Sequence, residues 1–242
     1  MVPWKTLATI STDEGPLQLR QRNPMEFLIT IDGRVLMTST ERLSEEACAR
    51  LACAPLTTPS PRVLIGGLGM GYTLRAALDA LPPGASVTVA ELTPQVEAWC
   101  RGPLAVLTQG ACADRRTRIV IGDVAKVIAD AKPGYYDAII LDIYEGPHAA
   151  TQRRDDPFYG AAALARTHAA LTPRGLLSVW SEEADVAFER RLNAAGFTVT
   201  QHREGASRAH IVYLGKKHVP RVDKANAVGP ATRSGRRPGR AR

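Results

Sequence analysis

Val63-Leu64-Ile65-Gly66-Gly67-Leu68-Gly69-Met70-Gly71-Tyr72-Thr73 is the stretch that decides the fold. A short apolar strand runs straight into a glycine-rich turn, and a helical pattern follows from Thr73 to Leu81. Glycine permits the positive φ of such a turn and lets a nucleotide come close to the backbone. The strand before and the helix after it turn a weak pattern into a specific one. Gly66, Gly67, Gly69 and Gly71 are therefore the first candidate cofactor-binding residues. A dinucleotide fingerprint requires a small residue where Tyr72 stands, which argues against NAD, and no G-x-x-x-x-G-K-[ST] loop is present.

Outward from the turn, strand and helix patterns alternate as far as Leu214, with strands ending at Glu91, at Ile121-Gly122-Asp123 and at Tyr136-Asp137-Ala138-Ile139-Ile140-Leu141-Asp142. Later helices are expected over Phe158–Leu171 and Glu183–Ala195, with a strand over Gly175–Trp180 between them. The alternation predicts an α/β fold with a mostly parallel, doubly wound sheet, and such sheets bind ligands beyond the carboxyl ends of their strands. Glu91, about twenty residues beyond the last glycine, is placed to hold ribose hydroxyls. Asp123 is placed to meet an adenine amino group. Asp142 and Glu145 are the candidate catalytic pair, one carboxylate taking a proton or holding an amine and the other orienting it.

Before the core, Leu7–Ser11, Leu17–Arg22, Phe27–Ile31 and Arg34–Thr38 read as a small antiparallel sheet, with Asp32-Gly33 as a hairpin turn. Ser44-Glu45-Glu46 then opens a helix, with Ser44 as its expected N-cap and the two glutamates as charges suited to the helix dipole. The expected organisation is a sheet and helix over 1–56, a cofactor-binding catalytic domain over 61–215 and a basic tail over 216–242.

The composition, 45% apolar and 23% charged, is that of a folded globular chain. The net charge of +7 is unevenly placed: residues 216–242 carry nine Lys or Arg against Asp223 alone, which leaves the body near neutrality. That tail, rich in Arg, Gly and Pro and without an aromatic residue, is expected to be disordered and capable only of nonspecific nucleic-acid contact. The four cysteines form no C-x-x-C pair and the five histidines are scattered, so no metal is expected. No apolar run reaches the ~20 residues of a membrane span, and the N-terminus lacks a signal-peptide core, so no membrane association and a cytoplasmic location are expected.

The order Val63-Leu64-Ile65-Gly66-Gly67, Val89-Ala90-Glu91-Leu92, Ile121-Gly122-Asp123, Tyr136 to Asp142, Phe158-Tyr159 and Leu171-Thr172-Pro173-Arg174-Gly175 resembles the spermidine synthase family. These are aminopropyltransferases on the Rossmann-like class I methyltransferase fold, and the resemblance is best from Pro61 to Ser181. It implies a seven-stranded sheet and a cofactor, S-adenosylmethionine or its decarboxylated form, held by the glycine turn, Glu91, Leu92, Asp123 and Asp142. It further implies a small amine as acceptor, Asp142 as its base, methylthioadenosine as product and a homodimer. Trp180 and Ser181, at the end of the fifth core strand, are placed either to line the acceptor pocket or to serve in packing.

There are two departures from the family pattern. Met70 stands where the family has an aspartate for the aminopropyl ammonium, and Ala47, Cys48 and Ala49 stand where it has a Tyr-His-Glu trio. Methyl transfer from intact S-adenosylmethionine is therefore the alternative activity. A nucleoside-binding protein acting through its basic tail is a third reading.

Overall fold

The computed structural model describes residues 2–143, 146–147, 155–205 and 209–218. β1 (Lys5–Thr12), β2 (Gly15–Asn23), β3 (Glu26–Ile31) and β4 (Arg34–Thr38) form an antiparallel sheet in chain order. In β2, Leu17 and Leu19 point inward and the residues between them do not, the period of a half-buried strand. Asp32 and Gly33 close the β3–β4 hairpin with φ of 45° and 77°, the doubly positive pattern of a type I′ turn.

The larger sheet contains β5 (Arg62–Gly66), β6 (Ser86–Glu91), β7 (Thr117–Ile121), β8 (Tyr136–Leu141), β9 (Leu171–Ser181), β10 (Phe197–Glu204) and β11 (His210–Lys217). Its order is β10-β11-β9-β8-β5-β6-β7, parallel from β9 to β7, with β11 antiparallel to both neighbours. Val63, Leu64 and Ile65 are all buried, as the continuous apolar run of a strand covered on both faces requires. The helices are α1 (Leu43–Cys53), α2 (Tyr72–Ala80), α3 (Pro94–Arg101), α4 (Val124–Ala129), α5 (Ala161–Ala170) and α6 (Val186–Ala194). This is the doubly wound α/β architecture with a seven-stranded sheet and an N-terminal antiparallel sheet that the sequence predicts.

Several boundaries differ from the sequence reading. α5 starts at Ala161 rather than Phe158, because Asp156 accepts hydrogen bonds from the Phe158 and Tyr159 N–H groups and holds them in a turn. α6 starts at Val186 because Asp185 caps it through the Ala187 and Phe188 N–H groups. β9 begins at Leu171, four residues before the expected Gly175, through pairing of Leu171 with Tyr136. Lys216 and Lys217 are not tail but the end of β11, and the Lys217 ammonium donates to the carbonyls of His168 and Leu171. The rest of the expected disordered tail, residues 219–242, lies outside the described residues.

The N-terminal segment is also more than a preface. Leu17, Leu19, Phe27 and Ile29 join Cys48, Ala49, Val63 and Leu74 in one apolar cluster, so its sheet and α1 continue the core layer on one face of the large sheet. Ser44 does not cap α1. The cap position is Arg42, with no side-chain cap bond, and the Ser44 hydroxyl faces the interior.

Candidate active site

The chain winds outward from β5 to β7 and then returns to β8 on the other side of β5, so the switch point lies between the tips of β5 and β8. Three backbone bonds align the tips, Gly67 N–H to Ala90 O (2.9 Å), Asp142 N–H to Gly66 O (2.9 Å) and Gly122 N–H to Glu91 O (2.9 Å), and Gly71 N–H to Leu68 O (2.7 Å) closes the glycine turn. Gly67 has φ of 89°, and a Cβ there would collide with the Asp142 carbonyl oxygen, so only glycine lets the two tips meet. Gly66 packs against Val124 and Leu141, Gly69 against Met37 of β4, and Gly71 against Thr108. Tyr72, too large for a dinucleotide turn, donates its hydroxyl proton to the Ser39 carbonyl (3.0 Å) and ties the turn to the N-terminal sheet. Met70 is 0% exposed and belongs to the core cluster, so the position where the family has an acid is filled with apolar packing.

Glu91 is buried at the end of β6. One carboxylate oxygen accepts from Leu68 N–H (2.9 Å) and the other from Thr93 N–H (2.8 Å), while burial, the largest influence, raises its pKa. Each oxygen keeps a lone pair for a further donor. Leu92 is 73% exposed and Ile121 44%, so neighbouring strand tips present apolar side chains to solvent, suiting one face of a flat heterocycle. Asp123 caps α4 by accepting from Ala125 N–H (2.7 Å), and its side chain is exposed. The glycine turn, Glu91, Leu92 and Asp123 thus lie at the ends of adjacent strands.

At the tip of β8 one member of the expected Asp142–Glu145 pair is described. Glu145 lies outside the described residues. Among the described residues Asp142 stands beside Glu45 of α1, with the Thr73 hydroxyl donating to Asp142 Oδ2. Burial, followed by the Glu45 charge, pushes the Asp142 carboxyl up to about 7, against the pull of the Thr73 hydrogen bond. Glu45 is only 8% exposed, and burial raises its pKa although Ser44 donates to Oε2 at 2.8 Å. Glu46 behaves as expected of a surface helix charge and pairs with Arg42 at 3.1 Å. Among the described residues neither Glu45 nor Asp142 forms an ion pair with Lys or Arg.

The wall of this cluster is polar as well. Cys48 Sγ is 3.1 Å from Ser178 Oγ, and burial and the Asp142 charge push its thiol up. The buried Tyr159 hydroxyl and the Trp180 indole N–H have no hydrogen-bond partner among the described residues, and the Trp180 ring lies 4.8 Å from that of His210. Ser181 serves the backbone, donating toward Pro147 O (3.2 Å) and Glu183 O (2.7 Å). The sequence reading assigns Glu45 to the helix dipole, although a contrary signal is present: residues 45, 48, 49 and 52 share one helical face, and the other three are apolar. All four cysteines are free and buried. Among the described residues no helix is long and apolar enough to cross a membrane.

The fold is a doubly wound α/β scaffold with carboxylates at the ends of β6, β7 and β8. No protein-family model matches the chain. A polyamine aminopropyltransferase of Saccharolobus solfataricus is 37% identical over 116 residues, covering 48% of this chain and 38% of that protein. Polyamine aminopropyltransferase 2 of Streptomyces coelicolor is 32% identical over 213 residues, covering 84% of this chain and 36% of that protein. Putrescine N-methyltransferase 3 of Nicotiana tabacum is 28% identical over 219 residues, covering 84% of this chain and 54% of that protein. The chain thus spans between about a third and a half of the length of these curated relatives. Among solved structures, spermidine synthase from Thermotoga maritima superposes with a TM-score of 0.69 at 20% identity, covering 88% of this chain and 73% of that one. A spermidine synthase in complex with the transition-state analogue AdoDATO gives 0.67 at 19%, covering 88% and 72%. In sequence and in fold the chain is spermidine synthase-like.

Proposed function

We propose that the chain is a transferase that moves an aminopropyl group from decarboxylated S-adenosylmethionine to a small amine. The observation that carries this reading is the pair of buried carboxylates, Glu45 and Asp142, beside the glycine turn and without a basic partner among the described residues. Buried carboxylates call for a cation, and an ammonium held between them supplies it. When bound, the adenosyl sulfonium supplies the electrophilic carbon and methylthioadenosine is the leaving group. Glu91, Leu92 and Asp123 hold the nucleoside, and the turn from Gly67 to Gly71 brings backbone close to it. Asp142 accepts the acceptor's proton, a role suited to a carboxyl near neutrality, and Glu45 orients the amine.

Methyl transfer from the intact cofactor is the second reading. Met70 favours it, because no acid on the turn awaits an aminopropyl ammonium, and the similarity to tobacco putrescine N-methyltransferases over 84% of the chain is consistent with it. The test is to incubate the full chain with putrescine and each cofactor in turn and identify products by mass spectrometry. Spermidine with methylthioadenosine supports the first reading. N-methylputrescine with S-adenosylhomocysteine supports the second, and no product from either cofactor across a panel of diamines rejects both.

A further inference from the structure

Ser44 is the residue that the helix does not use. It is buried at the start of α1, makes no cap bond, and places its hydroxyl between two titratable groups from distant parts of the chain. Its Oγ is 2.8 Å from Glu45 Oε2 and 2.9 Å from His210 Nδ1, the latter contact joining α1 to the first residue of β11. The His210 ring lies against Trp180, which restricts its rotation, and the residue is only partly buried. A buried carboxylate, a hydroxyl and a half-buried imidazole in hydrogen-bond sequence have the composition of a proton wire.

We infer that Ser44 and His210 form, with Glu45, a proton outlet from the acceptor amine to solvent, which makes both of them positioning residues for amine deprotonation. This rests on the amine-acceptor reading above and holds for aminopropyl and methyl transfer alike. The ammonium proton passes to the Asp142–Glu45 pair. Protonated Glu45 donates to Ser44 Oγ as the Ser44 hydroxyl proton moves to Nδ1 of neutral His210, and the imidazolium passes its Nε2 proton on, to water directly or through a neighbouring group. One proton leaves, only O–H and N–H bonds change, and Ser44 ends as a neutral hydroxyl. The groups that set the potential along this route are Asp142 at the tip of β8, Glu41, Glu46 and the Cys48 thiol around α1, and the Tyr72 hydroxyl of α2. Trp180 of β9 and the cross-strand neighbour Glu204 of β10 lie beside His210.

The experiment uses the full chain and two readouts. The first is the pH–rate profile with putrescine and whichever cofactor supports turnover. His210→Gln is expected to lower kcat at pH 7 roughly 10-fold or more with the amine KM little changed, to lose less at pH 9, and to regain activity with added imidazole. Ser44→Ala is expected to reproduce the defect and Ser44→Thr, which keeps the hydroxyl, to avoid it. The second is the NMR titration of the His210 ring, whose midpoint is expected to fall by about half a pH unit or more in Glu45→Gln. An unaltered pH–rate profile in His210→Gln, full activity in Ser44→Ala, or an unmoved His210 midpoint overturns the outlet while leaving the amine-transfer reading intact. Absence of amine-dependent turnover in the unmodified chain with either cofactor overturns that reading, and the outlet falls with it.

Discussion

Replacing Asp142 with Asn should stabilise the protein at alkaline pH while abolishing transfer. An ordinary aspartate ionises near ~3.9. In the folded chain burial and the Glu45 charge push the Asp142 carboxyl up to about 7. Between those two pH values the native state holds a proton that the unfolded chain has lost, so stability falls as pH rises across that interval and is level above it. At about 1.36 kcal/mol per pH unit, the interval is worth about 4 kcal/mol against the folded state. Asn carries no charge at any pH and removes this penalty, and it can still accept from the Thr73 hydroxyl. Urea unfolding of both proteins at pH 4 and pH 8 checks the reasoning. Asn is expected to be near-neutral at pH 4 and stabilising at pH 8 by about 2 to 4 kcal/mol, the lower figure allowing for Glu45 taking up part of the proton. Equal effects at the two pH values would show that Asp142 titrates normally and would refute the buried-pair account.

Glu91→Gln loses one of two backbone acceptors, since its amide nitrogen must face either Leu68 N–H or Thr93 N–H, and should weaken adenosyl-cofactor binding at least about tenfold by calorimetry. Gly67→Ala places a Cβ against the Asp142 carbonyl at φ of 89° and should cost at least about 2 kcal/mol in urea unfolding, with cofactor affinity lost. Tyr72→Phe removes the hydrogen bond to the Ser39 carbonyl and should cost about 1 kcal/mol by the same measurement, leaving the secondary structure seen by circular dichroism unchanged.

Much of the proposed nucleoside side of the site is legible in the sequence. The glycine turn, Glu91 and Asp123 each sit at a strand end, and local pattern locates strand ends because buried parallel strands are continuous apolar runs that stop where the chain turns. The proposed acceptor side is not legible in the same way. Ser44-Glu45-Glu46 has the composition of a helix start, and capping and dipole rules assign all three residues to local roles. Only Glu46 keeps such a role, paired with Arg42 on the surface. Ser44 and Glu45 are drawn inward because α1 buries Cys48, Ala49 and Ala52 against the core, and the rotation that buries those residues also carries Glu45 to Asp142.

The sequence by itself determined the class of sheet, the hairpin at Asp32-Gly33, the turn at Gly67 to Gly71 and the carboxylates that close β6, β7 and β8, because each is a property of a few consecutive residues and their backbone preferences. Tertiary structure alone decided that Glu45 is the described neighbour of Asp142, that Met70 is core rather than lining, and that Ser44 meets His210 across 166 positions of chain. Those pairings depend on how α1 and β11 pack against the tips of β8 and β9. Packing is set by the summed burial of many distant side chains, which no local stretch of residues encodes.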